Sequence, residues 1–298
     1  MKKRSAHRRA WLRAALLVTA TLAAAACGDQ APEAGPTGTA PATTVGSWPN
    51  NTMYGFVVGG ASSQAEANAL MDRARSAGVG WVKLTLYWPT LQPHGGPIDS
   101  ARIAGARYVV KAARERGLRV VAMLERYPGF ARGCGTPGTM YYGLFDPGNP
   151  ANDYALCEAA WQYPPDDGLY NTLQMYVTEL MDRWFATYPY DVQVYSVGNE
   201  FNHPAWFRVL NRKFLPAFQG QDRDEVAEYC KVVNYVSGGT RPRGKQLIAG
   251  ELAVDGNPSN DPAGSPYQWL RRVLQTCAGS FDIVGVHSYH SHAILDSQ

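Results

Sequence analysis

The 298-residue chain lacks an apolar run long enough to cross a bilayer, and it carries little net charge and few cysteines. The N-terminal run of apolar and small residues covers only positions 14–26, whereas a spanning helix needs about 20 residues. Six basic residues before this run account for the positive balance. Without them, 22 basic residues face 25 acidic ones, a balance of −3. Such a surface gives no reason to expect nucleic acid as a partner.

The first 26 residues are typical of an export signal, with a basic head, a short apolar run and small residues before Cys27. Ala24-Ala25-Ala26-Cys27 resembles a bacterial lipobox, which predicts a lipid on Cys27 that attaches the protein to a membrane. The alternative is ordinary cleavage that leaves Cys27 without a role. Arg8-Arg9 also fits a twin-arginine signal, so both export routes stay open. We therefore expect a lipoprotein signal peptide over 1–26 and an extracytoplasmic protein, secreted or held at a bacterial cell surface.

Residues 27–46 are rich in Ala, Pro, Thr and Gly and have no apolar periodicity. Such a segment cannot bury enough apolar surface to fold. It is predicted to be a flexible tether, followed by one domain over 47–298.

Four further cysteines lie in that domain. An even number in an exported protein favours disulfides over metal or thiol chemistry. Three pairings are open. We favour one bond within a long loop and one between two consecutive helices: Cys134–Cys157 and Cys230–Cys277.

Short apolar runs alternate with helical patterns along the domain, which is typical of a parallel sheet covered by helices. The predicted strands are 54–58, 80–88, 119–125, 192–200, 246–251 and 281–287. The predicted helices are 63–76, 100–116, 169–188, 222–237 and 266–276. A loop of about forty residues without an evident element of its own separates the third strand from its helix, and such loops are usually functional.

Two α/β architectures compete for this pattern, an open doubly wound sheet and an eight-stranded barrel. Gly59-Gly60-Ala61-Ser62 follows the first strand and does not fit a dinucleotide-binding fingerprint. Strands two, three, four and six end in polar or aromatic residues, as they do when a barrel builds its site from many loops. The fold is therefore predicted to be a (β/α)8 TIM-barrel type, with only the first six βα units in this sequence.

Four strand ends resemble motifs of one clan, the retaining (β/α)8-barrel glycoside hydrolases that include cellulase-, β-xylosidase- and α-L-iduronidase-like enzymes. Leu86 to Pro93 is similar to the strand-two segment in which a Trp precedes Gln/Glu-Pro, and Glu125 to Ala131 to the strand-three segment. Tyr195 to Asn202 resembles the strand-four motif Trp-x-x-x-Asn-Glu-Pro-Asn, and 287–289 resembles the strand-six His-x-Tyr. Gly198 and Phe201 depart from the usual Trp and Pro.

The resemblance implies a role for six side chains. Glu200 would be the acid/base of a retaining mechanism, and Asn199 would hydrogen-bond the sugar 2-hydroxyl. The cleft would be lined by His287 and Tyr289, which would also orient the nucleophile, and by the rings of Trp88 and Trp206. The alternatives are structural: an ion-pair role for Glu200, a turn for Asn199, and core packing for the two indoles. No metal or other cofactor is expected, because the terminal histidines 287, 290 and 292 lack a matching carboxylate or Cys geometry.

The clan's second catalytic Glu follows a seventh strand, and no residue of this sequence matches it. Glu251 is the other strand-end carboxylate near Glu200, because neighbouring strands lie about 4.8 Å apart, but the clan does not use that position. We therefore expect a fragment of a glycosidase that cleaves O-glycosidic bonds of a poly- or oligosaccharide and is inactive by itself. The alternatives are a surface lipoprotein that binds carbohydrate without cleaving it, and an open α/β sheet with no sugar role.

Overall fold

The computed structural model describes residues 55–137, 148–202, 224–253 and 266–287. Six strands form one sheet: β1 Gly55–Val58, β2 Trp81–Tyr87, β3 Arg119–Glu125, β4 Val194–Val197, β5 Gln246–Ala253 and β6 Ile283–His287. The helices are α1 Gln64–Ser76, α2 Trp88–Leu91, α3 Ser100–Glu115, α4 Gly129–Arg132, α5 Pro150–Ala159, α6 Tyr170–Glu179, α7 Glu225–Thr240 and α8 Pro266–Cys277.

Every strand pairs in parallel with the next strand in sequence, so the order across the sheet is β1 to β6 without reversal. A doubly wound sheet would reverse its order at a switch point. The described strands instead form a half-barrel with alternating helices, which confirms the predicted (β/α)-barrel type.

The core lies between the sheet and its helices. Val82, Leu84 and Leu86 alternate along β2 and are each at most 2% exposed. The side chains between them, beginning with Lys83, point to the other face, as strand alternation requires. We call that second face, which carries Lys83 and Ser196, the inner face of the sheet.

Capping side chains set the starts of three helices. Ser63, Asp99 and Asp224 each accept a hydrogen bond from a backbone N–H of the first turn of α1, α3 and α7, which satisfies donors that have no partner inside the helix. The seventh helix therefore begins at Glu225, three residues later than predicted.

The long loop after β3 is the main difference from the predicted elements. It contains α4 and the ten-residue α5, which the sequence pattern did not reveal because α5 has little segregation of apolar from polar residues. The fourth strand ends at Val197, not at residue 200, and the helix predicted over 169–188 is α6 followed by a π-helical turn over Leu180–Trp184.

Both predicted disulfides are confirmed. Cys134 bonds to Cys157 and Cys230 to Cys277, with Cα atoms 5.7 Å apart in each pair. The first ties α5 to the end of α4, and the second ties α7 to α8.

Among the described helices, none combines the length and apolarity that a membrane crossing requires.

Candidate active site

A β-bulge in β5 aims Glu251 at the inner face of the sheet. Ala249 pairs with Val284 of β6, but Leu252 pairs with Val286, so two residues of β5 oppose the single residue Gly285. The extra residue reverses the alternation, as bulges beside active sites often do. Glu251 has a φ of 44°, a left-handed conformation that is uncommon outside glycine.

Gly285 leaves the room that this carboxylate needs. A Cβ atom at that position would lie 2.7 Å from Cδ of Glu251, closer than van der Waals contact allows. The glycine on β6 and the bulge on β5 therefore act together to place Glu251.

Three side chains bind the buried carboxylate of Glu251, which is 4% exposed. Its Oε2 accepts hydrogen bonds from Lys83 Nζ at 2.6 Å and from His287 Nε2 at 2.7 Å, and its Oε1 accepts one from the Ser196 hydroxyl. Burial by itself would raise the pKa of Glu251. The hydrogen bond from His287 and the charge of Lys83 outweigh that effect and lower the pKa to about 2. Glu251 is therefore ionised at neutral pH.

His287 lies at the end of β6 and links two carboxylates. Its Nδ1 lies 3.0 Å from Glu200 Oε1, while its Nε2 contacts Glu251. The hydrogen bond to Glu251 raises the pKa of His287 above the ordinary 6.5. When both ring nitrogens carry protons, the imidazolium donates to both carboxylates.

Glu200 follows β4 and reaches the same cluster. Its backbone N–H donates to the carbonyl of Glu251 at 2.7 Å, and its φ of 49° is left-handed, a strained conformation of the kind that concentrates at functional sites. Its side chain keeps 12% exposure. Among the described residues, Oε2 of Glu200 has no hydrogen-bond partner, so this oxygen is available to a ligand.

Asn199 and Asn202 behave differently although both flank Glu200. Asn199 is half-buried, and its amide contacts no hydrogen-bonding group within the described part of the chain. Asn202 is 2% exposed; it donates to the carbonyl of Ala253 and accepts from the Ala253 N–H, both at 2.9 Å. Asn202 therefore fastens the segment after β4 to the end of β5, while Asn199 is left for a ligand.

The two departures from the strand-four motif are explained by one contact. Gly198 has a φ of 69°, and a Cβ there would lie 1.8 Å from Cε1 of Phe201. The Phe201 ring, which is 2% exposed, occupies the space that a side chain at 198 would need. A large residue at 198 and Phe at 201 exclude one another.

Glu125, at the end of β3, is a third buried carboxyl group of the inner face, with 5% exposure. Burial raises its pKa, opposed by the charges of Arg126 and Lys83 and reinforced by those of Glu200 and Glu251. Its position at a strand end was visible in the sequence. Its electrostatic connection to the other two was not, because it depends on how the strands are arranged around the sheet.

Trp88 lies in the core and not at the cleft. It is 1% exposed, its indole stacks on Tyr176 with centroids 4.8 Å apart, and its Nε1 donates to Gln92 at 2.6 Å. A ring that is covered in this way offers no face to a sugar. The structure therefore contradicts the predicted sugar contact of Trp88 and supports core packing.

Three other predicted residues, Cys27, Trp206 and Tyr289, lie outside the described residues. The sequence analysis assigned no role to three side chains of this cluster, Lys83, Ser196 and Glu125. Lys83 and Ser196 lie in mid-strand on the inner face, so only the apolar–polar alternation of their strands could have indicated them.

The described ranges contain no group of three or more His, Cys, Asp and Glu residues that could hold a metal ion.

No protein-family model matches the chain, and comparison with curated proteins gave no match. Solved structures similar to it include a family 39 glycoside hydrolase from Bacteroides cellulosilyticus, with 18% identity and a TM-score of 0.46. An exo-β-1,4-mannosidase from an Opitutaceae bacterium has 14% identity and a TM-score of 0.46. A family 30 subfamily 8 xylanase from Clostridium acetobutylicum has 17% and 0.43.

These alignments cover 78%, 78% and 80% of this chain but only 37%, 38% and 50% of the three solved chains. The chain thus spans half or less of their length. Its own fold and site define a class: an α/β protein of (β/α)-barrel type with a carboxylate–imidazole–carboxylate cluster at the C-terminal edge of its sheet.

Proposed function

We propose that this chain is part of a glycoside hydrolase that cleaves O-glycosidic bonds of a poly- or oligosaccharide, with Glu200 as the acid/base. One observation supports this role above the others. Glu200 projects from the end of a central strand with one carboxylate oxygen bound to His287 and the other without a partner among the described residues. A carboxyl group that is held on one side and open on the other can give a proton to a leaving oxygen and later take one from water.

In this proposal Glu251 supports the site and is not its nucleophile. Its oxygens are already engaged by Lys83, Ser196 and His287, and a nucleophile needs a free lone pair directed at the sugar. The buried negative charge of Glu251 instead raises the pKa of His287 and so favours its protonated form, and His287 orients Glu200. Asn199, beside the acid/base, would bind the sugar 2-hydroxyl.

A retaining mechanism requires a second carboxylate about 5–5.5 Å from the acid/base. We propose that this group comes from further strands that pair with β6 and cover its side chains. Support comes from exposed apolar residues on both edge strands: Val57 is 61% exposed, Val286 51%, Ile283 39% and Val284 38%. Unpaired apolar edges are rare in stable soluble domains.

Replacement of Glu200 by Gln tests the function in the protein as its source organism produces it. Hydrolysis of a panel of aryl glycosides and polysaccharides should fall at least about 100-fold, whereas binding of the same sugars, measured by calorimetry, should persist. Glu115→Gln is the matched control, because Glu115 pairs with Lys111 on the outer surface of α3. Full activity of the Glu200→Gln variant would refute the assignment.

A second candidate is a protein that binds carbohydrate without cleaving it. It is favoured by the engagement of Glu251, which leaves no free ionised carboxylate beside Glu200 among the described residues. In that case neither the wild type nor the variant hydrolyses any glycoside, and both bind sugar.

We propose further that the mature protein is a lipid-anchored extracytoplasmic protein, which the signal-like pattern of residues 1–26 and Cys27 support. The intact mass of the protein extracted from its own membranes provides the test. A mass equal to an unmodified polypeptide, with no acyl groups on Cys27, would disprove the anchor. A mass well above that of a lipidated 27–298 chain would support additional strands.

A further inference from the structure

Arg126 is held between two aromatic rings at the C-terminal edge of the sheet. It directly follows β3, and its Cζ lies 4.4 Å from the ring centroid of Tyr87 and 4.1 Å from that of Trp161. Its φ of 64° is left-handed, so the backbone is strained to aim this side chain. Both rings thus lie within cation–π distance of the guanidinium, whose edge of N–H donors points outward in its own plane.

That edge has no acceptor within the described part of the chain. The Nε atom of Arg126 is buried without a hydrogen-bond partner, and the guanidinium forms no ion pair with a described residue. A buried N–H donor that lacks an acceptor is unfavourable. Two stacking contacts thus hold a cation whose donors are not used by the neighbouring protein groups.

The segment that carries Trp161 is fastened by several separate contacts. Arg132, which is fully buried, donates to the carbonyls of Tyr127, Cys157 and Glu158, and the Cys134–Cys157 disulfide closes the same segment. The Tyr127 N–H donates to the carbonyl of Trp161 at 3.1 Å. Because Tyr127 follows Arg126 directly, this bond holds the backbone of Trp161 close to that of Arg126.

The register of the sheet places Arg126 beside the carboxylate cluster. Leu124 of β3 pairs with Val197 of β4. Arg126 lies two residues after Leu124, and Asn199 lies two residues after Val197, so the two residues hold equivalent positions beyond neighbouring strands. The preceding residue, Glu125, faces inward and interacts electrostatically with Arg126, Glu200 and Glu251. A sugar bound at Asn199 and Glu200 would have Arg126 as a neighbour.

From this arrangement we infer that Arg126, between Tyr87 and Trp161, binds an oxyanion carried by the substrate sugar, the carboxylate of a hexuronic acid or a sulfate ester. The inference rests on the proposed carbohydrate function and adds the substrate class. A guanidinium edge matches two oxygens of such a group with parallel hydrogen bonds, and a Lys ammonium does not.

The first test follows the Nε–Hε resonance of Arg126 by NMR in the Glu200→Gln protein, with D-glucuronate, inorganic sulfate and D-glucose as probes. The resonance is assigned by its loss in Arg126→Lys. We expect a saturable shift with glucuronate and none with glucose. A shift with sulfate alone would support the oxyanion site and identify a sulfate ester as its natural source. No shift with either anion would overturn the inference.

The second test measures the dissociation constants of two acidic probes and of a counterpart of each that lacks the tested group: a hyaluronan tetrasaccharide with its carboxyl-reduced form, and a chondroitin sulfate tetrasaccharide with its desulfated form. Arg126→Lys and Arg126→Gln should weaken binding of the better acidic probe at least about 10-fold and leave binding of its counterpart unchanged. Arg119→Gln is the matched control, because Arg119 stacks on Trp81 at 5.0 Å at the opposite end of β3. Equal weakening for both sugar forms, or binding of none of the acidic probes, would overturn the inference.

The two proposals fail separately. Arg126-dependent binding of acidic sugars by a protein that hydrolyses no glycoside would remove the hydrolase proposal and leave this one. Hydrolysis of neutral glycosides with no effect of Arg126→Gln on any acidic substrate would remove the inference about Arg126 and leave the hydrolase proposal.

Discussion

Replacement of Glu251 by Gln should destabilise the protein in a strongly pH-dependent way. The pKa of Glu251 is lowered to about 2 from an ordinary 4.5. Each tenfold change in acidity corresponds to about 1.4 kcal/mol, so the ionised carboxylate contributes about 3 kcal/mol to the free energy of unfolding at pH 7. Gln keeps the shape but leaves Lys83 and His287 without a negative partner, and breaking such a buried pair costs about 3–5 kcal/mol.

The sign follows from the lowered pKa. A carboxylate with a lower pKa in the folded state stabilises it fully above pH 4.5, and this contribution disappears as the pH falls towards 2. Urea denaturation of wild type and variant should thus differ by about 3 kcal/mol at pH 7, and the difference should shrink between pH 4.5 and 2. The corresponding decrease in Tm is about 6–12 °C for a chain of this size.

Glu115→Gln is the control for a generic loss of charge. Its partner Lys111 lies one turn away on the helix surface, and such exposed pairs contribute about 0.5 kcal/mol. A Glu251→Gln variant as stable as wild type at pH 7, or a difference that stays constant down to pH 2, would refute the reasoning.

Three further changes test the surroundings of the cluster. Gly198→Ala should destabilise the fold by about 3 kcal/mol or more, because φ is positive and the new Cβ would overlap the Phe201 ring; thermal unfolding measures the loss, and a tolerated Ala would contradict the placement of that ring. Asn202→Ala should cost about 2 kcal/mol in urea denaturation, since it removes both hydrogen bonds to Ala253; a neutral effect would show that water replaces them. The pKa of Glu125 is raised from 4.5 by burial, so the free energy of unfolding decreases as the pH rises from 4.5 to that raised value. Glu125→Gln should therefore stabilise the protein at pH 8 but not at pH 4; equal stabilities of variant and wild type at both would argue against a buried carboxyl group.

Much of the fold was readable from the sequence because parallel strands buried on both faces are continuously apolar and are bounded by glycine and capping residues. The six strands were predicted within three residues of their observed bounds. Of the three open cysteine pairings, the favoured one, with one bond within a long loop and one between consecutive helices, is the pairing observed. The position of Glu200 at the end of the fourth apolar run indicated the edge of the sheet that carries the candidate site.

What the sequence determined by itself is thus a (β/α)-barrel type sheet and a carboxylate at the end of its fourth apolar run, because these depend on local periodicity and on spacing along the chain. It favoured one of three cysteine pairings, and the tertiary structure decided between them. Only the tertiary structure decided that Glu251 faces inward, through a bulge that periodicity does not reveal, and that Trp88 is covered by Tyr176. It also brought Lys83, Ser196 and His287 to one carboxylate and Tyr87 and Trp161 to one guanidinium. Those contacts join residues from different strands and loops, and their distances are set by sheet register and packing, which no local pattern records.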